Sequence, residues 1–195
     1  MKTFKSNYHL IVLSVLVLGL AQCKKKETNS FLDFRNTTGL ALTVVLEGVA
    51  QKAAVGGTAR FSGPSGNSVS WTATLDDTTL LGFVPTWGGS DKYPDGEKEL
   101  FSQDLGVDSN HFFLQIRNIS TRTFTTLTVN EGLSAEFNAN TSIPNDSLTH
   151  SIGYFRAFAD SKVKVCTNNT CRSSGNLNYS IDAYGNKRVL VQVDY

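Results

Sequence analysis

The sequence is poor in proline, cysteine and charge, and its single methionine is Met1. The 195 residues include four prolines, three cysteines and 18% charged residues, and the formal net charge is +1. Lysines and arginines cluster only at residues 24–26, so the chain lacks the basic patch by which proteins bind phosphate backbones. We therefore expect no nucleic-acid partner.

Motifs that commonly carry catalysis are also missing. The chain has no Gly-x-Ser-x-Gly elbow, no His-Glu-x-x-His, no P-loop and no dinucleotide-binding glycine run. His111 and His150 each lie beside a predicted strand. A glycosidase is a third hypothesis, because such enzymes need two carboxylates about 5 to 10 Å apart, and the sequence cannot show whether any two lie at that distance. The candidate carboxylates are Asp76, Asp77, Asp91, Asp104 and Glu131. We predict that the chain is not an enzyme.

The first thirty residues predict where the protein resides. Lys2 and Lys5 precede a predominantly apolar run over residues 10–18, which is too short for a stable membrane span and is typical of a secretory signal peptide. Cys23 follows that segment. We assign residues 1–22 to the signal peptide, 23–30 to a flexible polar tether and 31–195 to a single β-domain.

Leu20-Ala21-Gln22-Cys23 resembles the lipobox of bacterial lipoproteins, in the relaxed form familiar from spirochaetes. The resemblance implies cleavage before Cys23 and a covalent lipid on that residue. Because the usual cofactor-binding motifs are missing, we expect no other cofactor. It implies a surface-exposed outer-membrane adhesin whose typical partners are laminin, collagen, fibronectin or plasminogen. The alternatives are an ordinary secretory signal, and a periplasm-facing lipoprotein that holds an envelope complex or binds polysaccharide.

The two remaining cysteines form a matched pair. Cys166 and Cys171 enclose four polar, turn-forming residues, which predicts a hairpin tip closed by a disulfide. A zinc site would need two further ligands nearby, and neither histidine is adjacent. So short a loop should gain only about 2 kcal/mol from the crosslink.

Short runs of β-branched and aromatic residues between turn signals predict an all-β fold. The clearest alternation places Val69, Trp71, Ala73 and Leu75 on one face of a strand. Residues 31–36 and 41–47 are expected to form a hairpin across Thr37-Thr38-Gly39. About a dozen strands without crossover helices indicate an antiparallel β-sandwich or a barrel-like sandwich.

Two halves of the sequence resemble each other in order. Phe34-Arg35-Asn36 matches Ile116-Arg117-Asn118, Leu42-Thr43-Val44 matches Leu127-Thr128-Val129, and Trp71-Thr72-Ala73 matches Phe155-Arg156-Ala157. Residues 112–116 also resemble 189–193. We predict two duplicated halves, although alternating strands alone could produce the likeness.

Residues 82–96 are expected to be irregular and to contain the candidate binding loop. Trp87 and Tyr93 are aromatic residues in this segment, and Lys92 and Lys98 are the nearby cations. Aromatic rings on loops are common binding surfaces, but the alternative that Trp87 and Tyr93 fold back onto the core is favoured. Lysine-dependent plasminogen capture would use Lys92, Lys98 or Lys187.

Overall fold

The computed structural model describes residues 28–194, which form sixteen strands and no helix. The first eight strands are β1 Asn29–Asn36, β2 Leu42–Leu46, β3 Val49–Ala53, β4 Thr58–Pro64, β5 Ser68–Leu75, β6 Leu81–Gly82, β7 Thr86–Lys92 and β8 Leu100–Leu105. The other eight are β9 His111–Asn118, β10 Phe124–Val129, β11 Phe137–Ile143, β12 Thr149–Arg156, β13 Val163–Cys166, β14 Cys171–Ser173, β15 Ser180–Ile181 and β16 Lys187–Val193. In this part of the chain no helix could cross a membrane.

The strands form four sheets, two in each half of the chain. In the first half, residues 28–107, the sheets have the orders β4-β1-β8 and β3-β2-β5-β7. In the second half, residues 111–194, they have the orders β15-β16-β9-β12 and β11-β10-β13-β14, and β6 joins the first of these beside β12. The all-β prediction and the sandwich alternative are confirmed.

The two halves repeat one pattern of strand pairing. β1 pairs antiparallel with β4 and parallel with β8, just as β9 pairs with β12 and β16. β2 lies between β3 and β5, just as β10 lies between β11 and β13. The predicted duplication is therefore present in the topology. The sheets are not wholly antiparallel, because the first and last long strands of each half pair in parallel.

The corner between the first two strands is the most closely repeated detail. Asn36 is fully buried, and its amide donates to the carbonyls of Leu40 and Ala53 at 2.8 and 2.9 Å, while Thr38 donates to its Oδ1. Asn118, also fully buried, donates to Arg122 and Ile143 at 2.8 and 3.0 Å and accepts from Ser120. Each asparagine thus satisfies buried backbone groups where the chain changes sheets.

This corner corrects the predicted hairpin. Residues 31–36 and 41–47 do contain strands, but β1 and β2 lie in different sheets and pair with different neighbours. The Thr37–Gly39 segment is a crossover between the two sheets, and the Asn36 side chain binds the carbonyl of Leu40, which follows it, and that of Ala53 at the end of β3. β1 also begins at Asn29, within the segment predicted as tether, and Ser30 is buried.

The sequence match at Asn36 and Asn118 is confirmed, but two other matches are wrong. Trp71 lies in β5, whose counterpart is β13, whereas Phe155 lies in β12, the counterpart of β4. Residues 112–116 and 189–193 lie in β9 and β16, which are neighbouring paired strands. Both mistakes have the same cause: strands with the same alternation look alike whatever their place in a sheet.

Buried apolar side chains form two clusters. One contains Leu32, Phe34, Trp71 and Leu105 of the first half, and the other contains Phe112, Ile116, Leu127 and Val189 of the second. Phe113 and Tyr154 of the second half belong to the first cluster. Burial raises the pKa of Tyr154 to about 12.

The halves meet end to end around these two aromatic residues. The Asn186 amide donates to the carbonyl of Thr37 at 2.8 Å, and the Arg188 guanidinium lies 5.8 Å from the Phe113 ring centre. β6 adds to β12 at Gly153, which has a φ of 151° and where a Cβ would overlap the Leu81 carbonyl. Glycine is thus required for β6 to approach.

We predict that the two corner asparagines are equally important for stability. Replacing Asn36 or Asn118 with alanine leaves buried carbonyls and N–H groups without partners, at a cost of about 3 kcal/mol each. Asn178 is exposed and lies outside the strands, so Asn178→Ala should cost less than about 0.5 kcal/mol. Denaturant unfolding of the three variants measures the difference, and equal stabilities would contradict the role of the corner.

Candidate binding surface

The two aromatic residues of the predicted binding loop pack against the protein. Tyr93 is 3% exposed and belongs to the first hydrophobic cluster, and a Cβ on Gly63 would overlap its ring. Trp87 packs partly buried against the same cluster, and its indole nitrogen donates to the Gly106 carbonyl at 3.0 Å. The packing alternative is therefore the observed one, and much of the predicted irregular segment is strand β7.

The two lysines of the predicted loop lie where the described chain begins. Lys92 forms an ion pair with Asp95 at 2.9 Å, and the backbone nitrogen of Lys98 donates to the Asn29 carbonyl at 2.8 Å. In the same region Ser65 donates its backbone N–H to the Thr28 carbonyl. We call this region, residues 28–30, 64–67 and 92–99, the tether end. Lys187 lies elsewhere, with its amine 5.7 Å from the Tyr179 ring centre.

The second half has a groove where the first half has Trp87. Trp87 of β7 lies opposite Ala73, and Arg172 of β14 occupies the matching place opposite Val165. A cavity of about 430 Å³ opens beside Arg172, lined mainly by valines and by the end of β16. Tyr195, which follows that strand, lies outside the described residues, as does Cys23.

The predicted disulfide is present. Cys166 and Cys171 are bonded and join the ends of β13 and β14 across the turn of residues 167–170. Thr167 and Thr170 make further hydrogen bonds within that turn. The crosslink thus holds a short edge hairpin in place.

The carboxylates considered for glycoside hydrolysis each contact a separate local partner. Asp91 accepts from the Trp71 indole at 2.6 Å, and Asp104 pairs with Arg35 at 3.0 Å. Asp76 contacts Thr43 and Lys52, Asp77 contacts Thr79, and Glu131 contacts Lys164. Within residues 28–194 no three His, Cys, Asp or Glu side chains are grouped to hold a metal ion.

The histidines form pairs with nearby aspartates. His150 lies 2.9 Å from Asp146, and this contact lowers the pKa of the Asp146 carboxyl. His111 lies 3.0 Å from Asp108 and stacks on the ring of Phe83, with ring centres 4.3 Å apart. Both pairs join residues close in sequence at strand ends, and neither adjoins a serine or cysteine nucleophile among the described contacts.

The outer edge of β8 combines exposed apolar side chains with available backbone groups. Leu100 and Phe101 are 50% and 41% exposed. β8 pairs with β1 along one edge only, and no strand within residues 28–194 pairs with the other. Its sequence, Leu-Phe-Ser-Gln-Asp-Leu, contains no lysine and no proline, two residues that commonly protect such an edge, and its one charged residue, Asp104, pairs with Arg35.

The parallel ladder fixes which backbone groups of β8 face outward. The Phe31 and Thr37 N–H groups donate to the carbonyls of Glu99 and Leu105, at 2.8 and 2.9 Å. In a parallel pair every second residue bonds to a given neighbour, so residues 101 and 103 also face β1. The N–H and C=O groups of Leu100, Ser102 and Asp104 therefore face outward.

Comparisons with known proteins do not define a family for the chain. No family model matches the sequence, and no curated protein matches it. Among solved structures, the Bacillus anthracis TIE protein is similar over 86% of this chain and 34% of its own, with 11% identity and a TM-score of 0.30. Lac15 from a marine microbial metagenome is similar over 77% of this chain and 55% of its own, with 11% identity and a TM-score of 0.25.

A third structure, the major pilin from Streptococcus pyogenes, is similar over 87% of this chain and 99% of its own, with 9% identity and a TM-score of 0.21. The chain thus spans about a third and about half of the first two structures it resembles.

We predict that removing the disulfide lowers stability without unfolding the protein. Loss of a crosslink over so short a loop should cost about 2 kcal/mol. Denaturant unfolding of the Cys166→Ala/Cys171→Ala variant measures this loss. Adding a reductant should shift the unfolding midpoint of the unaltered chain and leave that of the variant unchanged; a variant as stable as the oxidised chain would contradict the prediction.

Proposed function

We propose that this protein is a bacterial lipoprotein anchored in the outer membrane and exposed at the cell surface, where it acts as an adhesin for host extracellular-matrix proteins. The observation that carries the proposal is the lipobox-like Leu20-Ala21-Gln22-Cys23, with only residues 24–27 between the cysteine and the described domain. Acyl chains on Cys23 would hold the protein to the membrane, since each buried methylene contributes about 0.8 kcal/mol and two or more chains make attachment stable.

The short tether determines which end of the protein faces the membrane. A fully extended chain gains about 3.5 Å per residue, so Thr28 lies at most about 18 Å from Cys23. The tether end, with Lys92 and Lys98, is then the end next to the lipid headgroups. These two lysines are poorly placed to capture a large host protein such as plasminogen, and a binding surface on the sides or far end of the protein is favoured.

The side chains of the described residues favour a binding role over a catalytic one. The carboxylates and histidines contact local partners, and the disulfide joins the ends of one hairpin. The open edge of β8 is exposed along the side of the first half. A rigid β-sandwich with such an edge is suited to holding an extended macromolecule.

We predict that the anchor depends on Cys23. Cells grown with a radiolabelled fatty acid should label the native chain, and Cys23→Ser should abolish the label because it removes the acylated sulfur. Protease treatment of intact cells should then remove the protein from unbroken cells. A domain that survives until the membrane is broken would instead support the periplasm-facing alternative, and a chain that retains residues 1–22 would overturn the lipoprotein assignment.

We also predict direct binding to at least one host protein among laminin, collagen, fibronectin and plasminogen. Mature protein carrying Cys23→Ser, which removes the lipid and keeps the domain, is added to each immobilised partner. A lipoprotein of similar net charge serves as the control. Binding no stronger than that of the control for all four partners would contradict the adhesin proposal.

A further inference from the structure

In the second half, the two-residue strand β15 covers the start of the edge that the first half leaves open. β16 corresponds to β8, because Val193 lies opposite Asn118 as Leu105 lies opposite Asn36. β15 pairs antiparallel with the start of β16, with Ser180 opposite Arg188. The corresponding place on β8 is Leu100, and no strand within residues 28–194 lies beside it. The protein therefore contains an example of a strand added to this edge.

The side chains at the open edge provide apolar contacts on both faces of the sheet. Leu100 lies opposite Phe31 on the outer face, where the Arg60 guanidinium is 5.6 Å from the Phe31 ring centre. Phe101 lies opposite the buried Leu32, on the face that points toward the core. An added strand would thus meet a large apolar side chain on each face, beside a row of available hydrogen-bonding groups.

We infer that β8 is a strand-addition site that takes an extended polypeptide segment of a partner protein, aligned antiparallel as β15 is aligned on β16. Main-chain hydrogen bonds to Leu100, Ser102 and Asp104 supply affinity that does not depend on the partner's sequence. The contacts with Leu100 and Phe101 favour segments with neighbouring apolar residues and without proline.

The choice of a partner protein over a second copy rests on the proposed function. Two copies joined antiparallel through β8 would point their tether ends in opposite directions. Acylation at Cys23 would hold the tether ends of all copies to the same membrane surface. An extended segment of another protein carries no lipid anchor of this kind, so it can align antiparallel to β8 while the tether end stays at the membrane.

Three variants test the site. Ser102→Pro removes an outward-facing N–H and keeps the N–H groups that bond to β1, and Leu100→Lys places a charge at the edge. Leu190→Lys is the matched control, because Leu190 is 54% exposed, close to the 50% of Leu100, and lies on β16, the strand that corresponds to β8 in the second half. Leu100→Lys also keeps the test valid if Ser102→Pro disturbs the fold.

The probe is a set of peptides selected from a random displayed library against the mature Cys23→Ser protein. We expect selected peptides to slow hydrogen exchange at the amides of Leu100, Ser102 and Asp104. We expect Ser102→Pro and Leu100→Lys to weaken their binding at least about tenfold, which corresponds to the loss of one or two hydrogen bonds, and Leu190→Lys to change it less than about twofold.

Several results would overturn the inference. Peptide binding that both edge variants leave unchanged, or protection only elsewhere, would place the site on another surface. If the amides of residues 100, 102 and 104 are already protected from exchange in the free protein, and deleting residues 24–27 removes that protection, the tether is the occupant of the edge. If the protein forms a dimer that Ser102→Pro abolishes, a second copy is the occupant. Peptides that bind at β8 while no matrix protein binds would support the site and contradict only the adhesin proposal.

Discussion

The buried asparagine at the first corner of each half is the interaction on which the architecture depends. A chain that crosses between two sheets must turn through the interior, where its carbonyls and N–H groups cannot reach water. Asn36 and Asn118 supply a donor and an acceptor at this point, and each satisfies an N–H group within the turn, a carbonyl just after it and a carbonyl of a neighbouring strand. Each corner fixes β1 or β9 in one sheet and the following strand in the other, and so determines the sandwich.

The fold class and the disulfide could be predicted from the sequence because both depend on local patterns. Alternation in residues 68–75 reports which face is buried, and Trp71, Ala73 and Leu75 are indeed buried. The spacing of Cys166 and Cys171 suits a hairpin tip. Pairing partners are different, because they join residues far apart in sequence and leave no mark on the alternation. The wrong hairpin at Thr37–Gly39 and the false match of Trp71 with Phe155 both come from this loss of information.

The candidate surface was harder to predict than the fold. Trp87 and Tyr93 attract attention in the sequence because aromatic residues stand out among glycines and prolines, yet both contribute to packing. The β7 segment contains Gly88 and Gly89, whose low strand propensity hides a strand that only pairing with β5 stabilises. The open edge of β8 is defined by a missing neighbour, which no residue type signals. The strand order of the sheet reveals it, and comparison with the second half shows that β15 occupies the corresponding place beside the start of β16.

The parallel pairing of the first and last long strands of each half has a mechanical consequence. If the chain is held at its N-terminal end and a partner is held on β8, a pulling force acts along the β1–β8 ladder. Such a force loads all the hydrogen bonds between residues 31–36 of β1 and residues 100–105 of β8 at once, in shear. It does not break them one after another from one end of the ladder. A protein loaded in this direction resists tension better than one whose strands are separated one bond at a time.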